Sequence, residues 1–202
     1  MPVFRKVIPK RRLITNKVMH YKEHRENLKE DFNNRCGYCD DVDSFRRAHY
    51  EIDHFVPKNI LEKFFPIQEE YNEKLKDYSN LVYSCHSCNN AKRKKWPTGK
   101  IDVHHEDDTG FIDPCKTEYD EQFERNENGE IISKTALGNW IHKALKLWKP
   151  EHSIIWHLDE INQTIIETEK LLTTETQKEE LQQKLNLLLA DYHRYHTQLM
   201  EY

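Results

Sequence analysis

Two cysteine pairs of identical spacing constrain this chain more than any other feature. Cys36-Gly-Tyr-Cys39 and Cys85-His-Ser-Cys88 stand 45 residues apart. A C-x-x-C knuckle lets two thiolates reach one ion at tetrahedral angles while backbone amides satisfy the sulfurs, and two knuckles complete the closed coordination of a structural zinc ion. The spacing therefore predicts that Cys36, Cys39, Cys85 and Cys88 bind Zn2+. It also requires another element to fold between the knuckles. A redox C-x-x-C would explain one pair but not two. Zinc binding is expected to supply much of the folding free energy of such a small module.

The remaining candidates for metal chemistry are weaker. Cys115 has no partner motif and reads as a small buried or half-buried residue. An odd cysteine count with no export signal argues against a disulfide framework. His86 lies inside the second knuckle and is not needed as a ligand beside four thiolates. His104-His105, followed by Glu106-Asp107-Asp108, reads as an exposed loop.

With 202 residues, 37% hydrophobic and 33% charged, the chain suits a small core with long solvated helices better than a large α/β barrel. No apolar run approaches the length of a membrane span. The first residues are basic without an apolar signal region, so the expected location is cytoplasmic. Charge is unevenly distributed. Residues 1–100 carry 21 Lys/Arg against 14 Asp/Glu, residues 101–150 carry 6 against 11, and residues 151–202 carry 4 against 10. A polyanion would be drawn to the front half; a merely solvated face is the bland alternative.

Neither an internal repeat nor a low-complexity segment is present. Three regions are expected: a basic extended segment over 1–16, a zinc-knuckle domain over 17–133, and a helical region over 134–202. Within them, 17–33 reads as an amphipathic helix with Val18, Tyr21, Leu28 and Phe32 on one face, ended by Asn33 and Asn34. Residues 45–55 have strand composition. Residues 59–76 read as a helical insertion broken at Pro66, and 89–95 as a short helix stopping before Pro97. Turn signals fill 97–133. Residues 134–148 read as a helix with Leu137, Ile141, Ala144, Leu145 and Trp148 on its apolar stripe, ended by Pro150. The tail carries two apolar series out of phase across 173–180, where Thr176 and Glu179 make a capping box. A helical pair is expected, with one long stuttered helix as the alternative. Its stripe packs within the chain or dimer, or serves a partner.

The chemistry-bearing residues lie between and just after the knuckles. Residues 51–58 read E-I-D-H-F-V-P-K, Asn80-Leu81 follows, and the second knuckle runs into Asn89-Asn90-Ala91-Lys92. His54 has the intrinsic pKa of a general base near neutral pH. In this order and framework the residues resemble the HNH endonuclease family in its zinc-knuckle form, most strongly over residues 28–95. Beyond them, F-I-D-P-C, F-E-R-N-E-N-G-E-I-I and the following helix resemble the longer PtuB-type HNH nucleases of Septu and retron-associated anti-phage systems.

The resemblance implies an α+β, mainly helical chain. Its core would be two short strands and a helix around one divalent ion, stapled by the zinc site, with helical flanks and a C-terminal helical pair. It implies that Asp53 and Asn89 ligate Mg2+ or another divalent cation, that His54 is the base, and that Asn80 orients the loop carrying it. Pro57 shapes that loop. Lys92, Arg93, Lys94 and Lys95 stand where they can meet a DNA backbone. Family members often carry His where this chain has Asn89, and amide oxygen, carboxylate and water suit a hard cation. Glu51 and His49 could also face the site, but each reads rather as structural. The resemblance further implies a DNA substrate and an ATPase partner that controls cutting, for which the acidic tail over 153–200 offers a docking surface. A zinc-stabilised binding module without catalysis is the reading from another class.

Overall fold

The computed structural model of the protein describes residues 3–14, 16–46, 48–174 and 178–202. In chain order the helices are α1 (Arg25–Asp31), α2 (Lys58–Phe64), α3 (Gln68–Leu75), α4 (His86–Lys92), α5 (Thr117–Asp120), α6 (Ala136–Leu145), α7 (Pro150–Thr174) and α8 (Lys178–Leu199). The strands are β1 (Glu51–His54), β2 (Leu81–Ser84), β3 (His105–Glu106), β4 (Thr109–Gly110), β5 (Phe123–Arg125) and β6 (Ile131–Ser133), paired as three antiparallel ribbons, β1 with β2, β3 with β4 and β5 with β6. The chain is thus α+β and mainly helical. No helix among the described residues is long and apolar enough to cross a membrane.

These elements form two compact units. The first runs to Glu127 and resumes over Ile131–Trp148; the second comprises Asn128–Glu130 and Lys149–Tyr202.

In the first unit the helix expected over 17–33 starts late. The His20 side chain accepts the Lys22 N–H at 3.1 Å, and the Glu23 carboxylate accepts the His20 N–H at 2.7 Å. This reciprocal cap sets the start at a 3-10 turn, Tyr21–His24, and leaves Val18 outside the helix. Leu28 and Phe32 are buried as the apolar pattern predicts. Asn33 and Asn34 take φ of 55° and 57°, the left-handed conformation that ends α1.

Among the described residues of the expected 45–55, strand structure is confined to Glu51–His54, because only these find a partner in β2. The register sets Glu51 opposite Ser84, Ile52 opposite Tyr83, Asp53 opposite Val82 and His54 opposite Leu81. The insertion is two helices, α2 and α3, parted at Phe65 and Pro66 as the proline requires. The short helix after the second knuckle begins at His86, not 89, because Cys85 is its N-cap: the sulfur accepts the Cys88 N–H. Asn89 therefore lies within the helix rather than opening it. Arg93 at φ 46° stops it.

Residues 97–133 are less irregular than their turn signals suggest. The D-D-T-G segment turns β3 into β4, and N-E-N-G joins β5 to β6. His104 is not an exposed loop residue; its ring packs on Phe55 at 5.0 Å and Trp96 at 5.6 Å. Cys115 is half-buried, and burial pushes its thiol up to about 11. Helix α6 stops at Lys146, whose φ of 57° satisfies the helix end, so Pro150 opens α7 instead of ending α6. Trp148 falls beyond the helix and is 61% exposed, off the stripe.

Two basic residues of the first segment, Arg5 and Arg11, turn inward, while Lys6, Lys10 and Arg12 stay exposed. Arg5 donates to the carbonyls of Gly37 and Pro114 and pairs with Asp120. Arg11 donates to the Leu81 carbonyl at 2.7 Å and forks onto Asp113 at 2.8 and 3.0 Å. These two account for part of the positive charge that sequence alone assigns to a polyanion; Arg125, outside that half, is likewise buried and donates to the carbonyls of Phe4 and Cys39.

In the second unit α7 and α8 form a helical hairpin. The rings of His157, near the start of α7, and Tyr195, near the end of α8, stack at 4.6 Å, which makes the pair antiparallel. The capping box involving Thr176 lies outside the described residues. Gly129 has φ 73°, and a Cβ there would meet the Trp156 ring at 2.4 Å, so both backbone and packing demand glycine.

Candidate active site

The two cysteine knuckles come together in one buried cluster. Cys36, Cys39, Cys85 and Cys88 are buried, and their sulfurs lie within 4.8 Å of one another. Cys39 and Cys85 sulfurs are 3.7 Å apart, close to the roughly 3.8 Å that two tetrahedral ligands at about 2.3 Å from zinc would have. The Tyr38 N–H donates to the Cys36 sulfur and the Cys88 N–H to the Cys85 sulfur, both at 3.4 Å. Gly37 leaves no room for a side chain: a Cβ would sit 2.6 Å from Phe32 and 2.9 Å from Val82. Burial raises the Cys36 thiol, yet hydrogen bonds from the other three cysteines outweigh it and hold the group well below the usual thiol range. Burial first, then the thiols of Cys36, Cys85 and Cys88, push Cys39 well up. Four buried thiolates repel one another without a cation, so this set fits a divalent soft-ligand metal.

From the second knuckle α4 runs alongside β1, and the two elements line a cleft of about 500 Å³. Glu51, Asp53, His54 and Asn89 all border it. Its other walls include Tyr21, Lys22, Arg25, Pro57, Lys58, Arg93 and Lys94. Five of these are cationic, so an acidic floor with one imidazole faces a basic rim.

His54 is buried, 3% exposed. Its Nε2 lies 2.9 Å from the Leu75 carbonyl oxygen, at the end of α3. A carbonyl only accepts, so Nε2 carries the proton and Nδ1 keeps a lone pair. The Tyr21 ring packs edge-on at 4.7 Å. Burial first, with Lys58, Lys92 and His20 adding to it, pushes the His54 pKa down to about 4. The imidazole is therefore neutral at neutral pH.

Asp53 is 7% exposed, and its Oδ2 takes the Tyr38 hydroxyl at 2.6 Å and the Lys92 ammonium at 2.9 Å. Neither bond uses Oδ1. Asn89 donates through Nδ2 to Glu51 Oε2, which leaves its amide oxygen to face other partners. The second Glu51 oxygen meets His86 Nδ1 at 3.1 Å. Hard oxygen donors thus line the cleft, a set that suits a cation such as Mg2+.

Asn80 closes the loop after His54. Its Oδ1 accepts the Val56 N–H at 2.7 Å and its Nδ2 donates to the Val56 carbonyl at 3.1 Å. The Asn80 carbonyl accepts the Phe55 N–H at 2.8 Å. Three bonds from one residue hold the turn that carries His54 and Pro57.

The basic run after the knuckle divides. Lys92 does not reach outward as the sequence suggests; it is fully buried, with its ammonium on Asp53 and on the His54 carbonyl at 3.0 Å. The helical period places it on the inner face of α4. Arg93 and Lys94 are exposed on the cleft. Lys95 is exposed, and its ammonium donates to the Ala144 carbonyl near the end of α6. His49 is exposed and does not border the cleft, whereas Glu51 does. Glu51, weighed in the sequence as structural, lines the cleft. Tyr38 and the Leu75 carbonyl have no place in the sequence reading; Tyr38 is visible as a polar residue within the knuckle, whereas nothing in the sequence marks a backbone carbonyl.

Residues 36–95 match the family model described as HNH endonuclease. Among curated proteins the chain is similar to the Septu protein PtuB of Bacillus mycoides (strain KBAB4), 27% identical over 119 residues, covering 53% of this chain and 40% of that protein. The chain thus spans less than half the length of this relative. No solved structure matches the chain significantly.

Proposed function

Taking residues 36–95 as an HNH endonuclease domain, we propose that the chain is a divalent-cation-dependent endonuclease hydrolysing phosphodiester bonds in DNA, and that it is the cutting component of a bacterial anti-phage complex. The observation that carries the reading is the cleft where a neutral, carbonyl-oriented His54 stands beside Asp53 and Asn89 under a basic rim.

The residues have separable tasks. His54 Nδ1 takes a proton from the attacking water; the Leu75 carbonyl holds the ring in the required tautomer and disperses the developing charge. Asn80 fixes the loop, so the ring does not drift from the phosphorus. Lys58, Arg93 and Lys94 hold the polyanion by contacts that ignore sequence. Asp53 and Asn89 are the residues that would hold the cation, which when bound supplies charge neutralisation on the phosphate and stabilises the departing oxygen. Zinc on the four cysteines is structural, since no ligand position is left open.

The defence role is supported by the similarity to the Septu protein PtuB; in this reading the chain works in the cytoplasm, on invading DNA. A cleft with a small basic rim, and no recognition helix or other specificity element among the described residues, needs restraint, and an ATPase partner would provide it. The acidic α7–α8 hairpin, with Leu187 71% and Leu189 48% exposed, is the candidate docking surface.

The test is cleavage of supercoiled plasmid, linear duplex and RNA by the zinc-loaded chain, alone and with the protein that co-purifies from its host. Mg2+-dependent cutting of DNA, abolished by a chelator too weak to strip zinc, is expected. No cutting of any substrate with any divalent cation, in either preparation, would overturn the reading.

A further inference from the structure

The first zinc knuckle reaches into the cleft. Tyr38 lies between the ligands Cys36 and Cys39, and its hydroxyl donates to Asp53 Oδ2 at 2.6 Å. The same oxygen receives Lys92 Nζ at 2.9 Å, from the helix that the second knuckle starts. One carboxylate oxygen is therefore clamped from both knuckles at once, and neither bond involves Oδ1.

We propose that Tyr38 and Lys92 are positioning residues that fix the Asp53 carboxylate so that one defined oxygen meets the divalent cation, making the zinc module a mechanical part of the active site. This rests on the reading of Asp53 as a cation ligand.

The geometry leaves little slack. Tyr38 is 0% exposed, and its backbone is held in turn: its N–H donates to the Cys36 sulfur at 3.4 Å, and its carbonyl accepts the Tyr119 hydroxyl at 2.8 Å. Lys92 is also 0% exposed, and its ammonium makes a second bond to the His54 carbonyl at 3.0 Å. Lys92 thereby ties Asp53 to the backbone of the neighbouring residue. A buried ammonium is costly unless paired and hydrogen-bonded, so its place is set by these two acceptors. A carboxylate gripped through one oxygen cannot rotate about its terminal bond, and the entropy of fixing it is spent before the cation arrives. A purely structural ion pair would need Lys92 alone. The added hydroxyl from inside the zinc knuckle is what couples the two sites.

The discriminating variant is Tyr38→Phe, which removes one hydroxyl and keeps the ring. Tyr119→Phe is its control, since it also deletes a buried hydroxyl at the same knuckle but touches the Tyr38 carbonyl instead of Asp53. On the zinc-loaded full chain, Mn2+ binding is read by electron paramagnetic resonance, zinc content by mass spectrometry, and cleavage as a function of Mg2+. Tyr38→Phe is expected to keep its zinc and weaken Mn2+ binding about tenfold, the scale of one hydrogen bond to a charged group, with the Mg2+ requirement rising in parallel. Tyr119→Phe, which keeps the Tyr38 hydroxyl on Asp53, is expected to weaken Mn2+ binding clearly less than Tyr38→Phe does. Equal Mn2+ affinity in wild type and Tyr38→Phe, with wild type binding and cutting, would overturn the inference alone. A wild type that neither binds Mn2+ nor cuts would overturn the functional reading beneath it.

Discussion

His54 Nε2 lies 2.9 Å from the carbonyl oxygen of Leu75, so a residue at the end of β1 takes its tautomer from the last residue of α3. The last carbonyls of a helix have no partner within it. Here one of them is satisfied by the ring it orients. The insertion between the knuckles thus supplies the acceptor that orients the proposed base.

That arrangement gives a pH signature. Burial pushes the His54 pKa down to about 4, whereas an unfolded histidine titrates near 6.5. Between those values the unfolded chain binds more protons than the native one, so native stability falls as pH falls through the window. The contribution at stake is about 3 kcal/mol. Denaturation curves of wild type and His54→Gln at several pH values check it. The stability difference between them is expected to shift against wild type from pH 6.5 to 4, and a difference independent of pH would contradict the burial of a neutral ring.

Asn80 is predicted to act through the loop. Asn80→Ala strands the Val56 N–H and carbonyl, both now bonded to its side chain. The expected loss is about 2–3 kcal/mol of stability, together with a fall in the maximal cleavage rate larger than any change in substrate affinity. Chemical denaturation and steady-state kinetics read the two effects. An unchanged rate at full folding would remove Asn80 from the machinery.

The two kinds of cation after the second knuckle should separate. Lys92→Ala breaks a buried ion pair and is expected to cost about 3–5 kcal/mol in stability. Arg93→Gln and Lys94→Gln should leave stability nearly unchanged, weaken DNA binding, and each flatten the salt dependence of binding by about one unit of slope. Thermal melts and binding titrations at varied salt measure this. A Lys92 variant that folds normally but binds DNA poorly would reverse the assignment.

Zinc removal is predicted to unfold the site. Cys85 caps α4 and stands in the four-thiol cluster, so Cys85→Ser or a strong chelator should release the metal, lower the melting temperature and disorder the helix carrying Asn89 and Lys92. Elemental analysis is expected to give one zinc per chain. A metal-free chain with an unaltered melt would contradict the structural role.

What the sequence disclosed, and what it hid, follows from the range of the interactions. The knuckles were legible because two ligands per turn is a local pattern. So were α6, where Leu137, Ile141 and Leu145 mark a helical stripe, and the break at Pro66. Strand limits were not, because only pairing with β2 decides which of residues 45–55 are extended in a ladder. The start of α4 was missed for want of one fact: that a cysteine sulfur caps it. Lys92 was assigned to the surface because it sits in a basic run, and only the helical phase of α4 against β1 turns it inward to Asp53. The inward turn of Arg5 and Arg11 is equally invisible in the sequence, since their acceptors at Pro114 and Asp113 lie about a hundred residues away.

The central claim is that His54 is the base of a metal-dependent nuclease, and one comparison tests it most directly. Supercoiled plasmid is incubated at neutral pH with Mg2+ and either wild type or His54→Ala, each confirmed folded and zinc-loaded, with the co-purifying partner present. Wild type is expected to nick the plasmid and His54→Ala to lose at least about a hundredfold in rate, the usual worth of a general base. Equal nicking by both proteins would contradict the account.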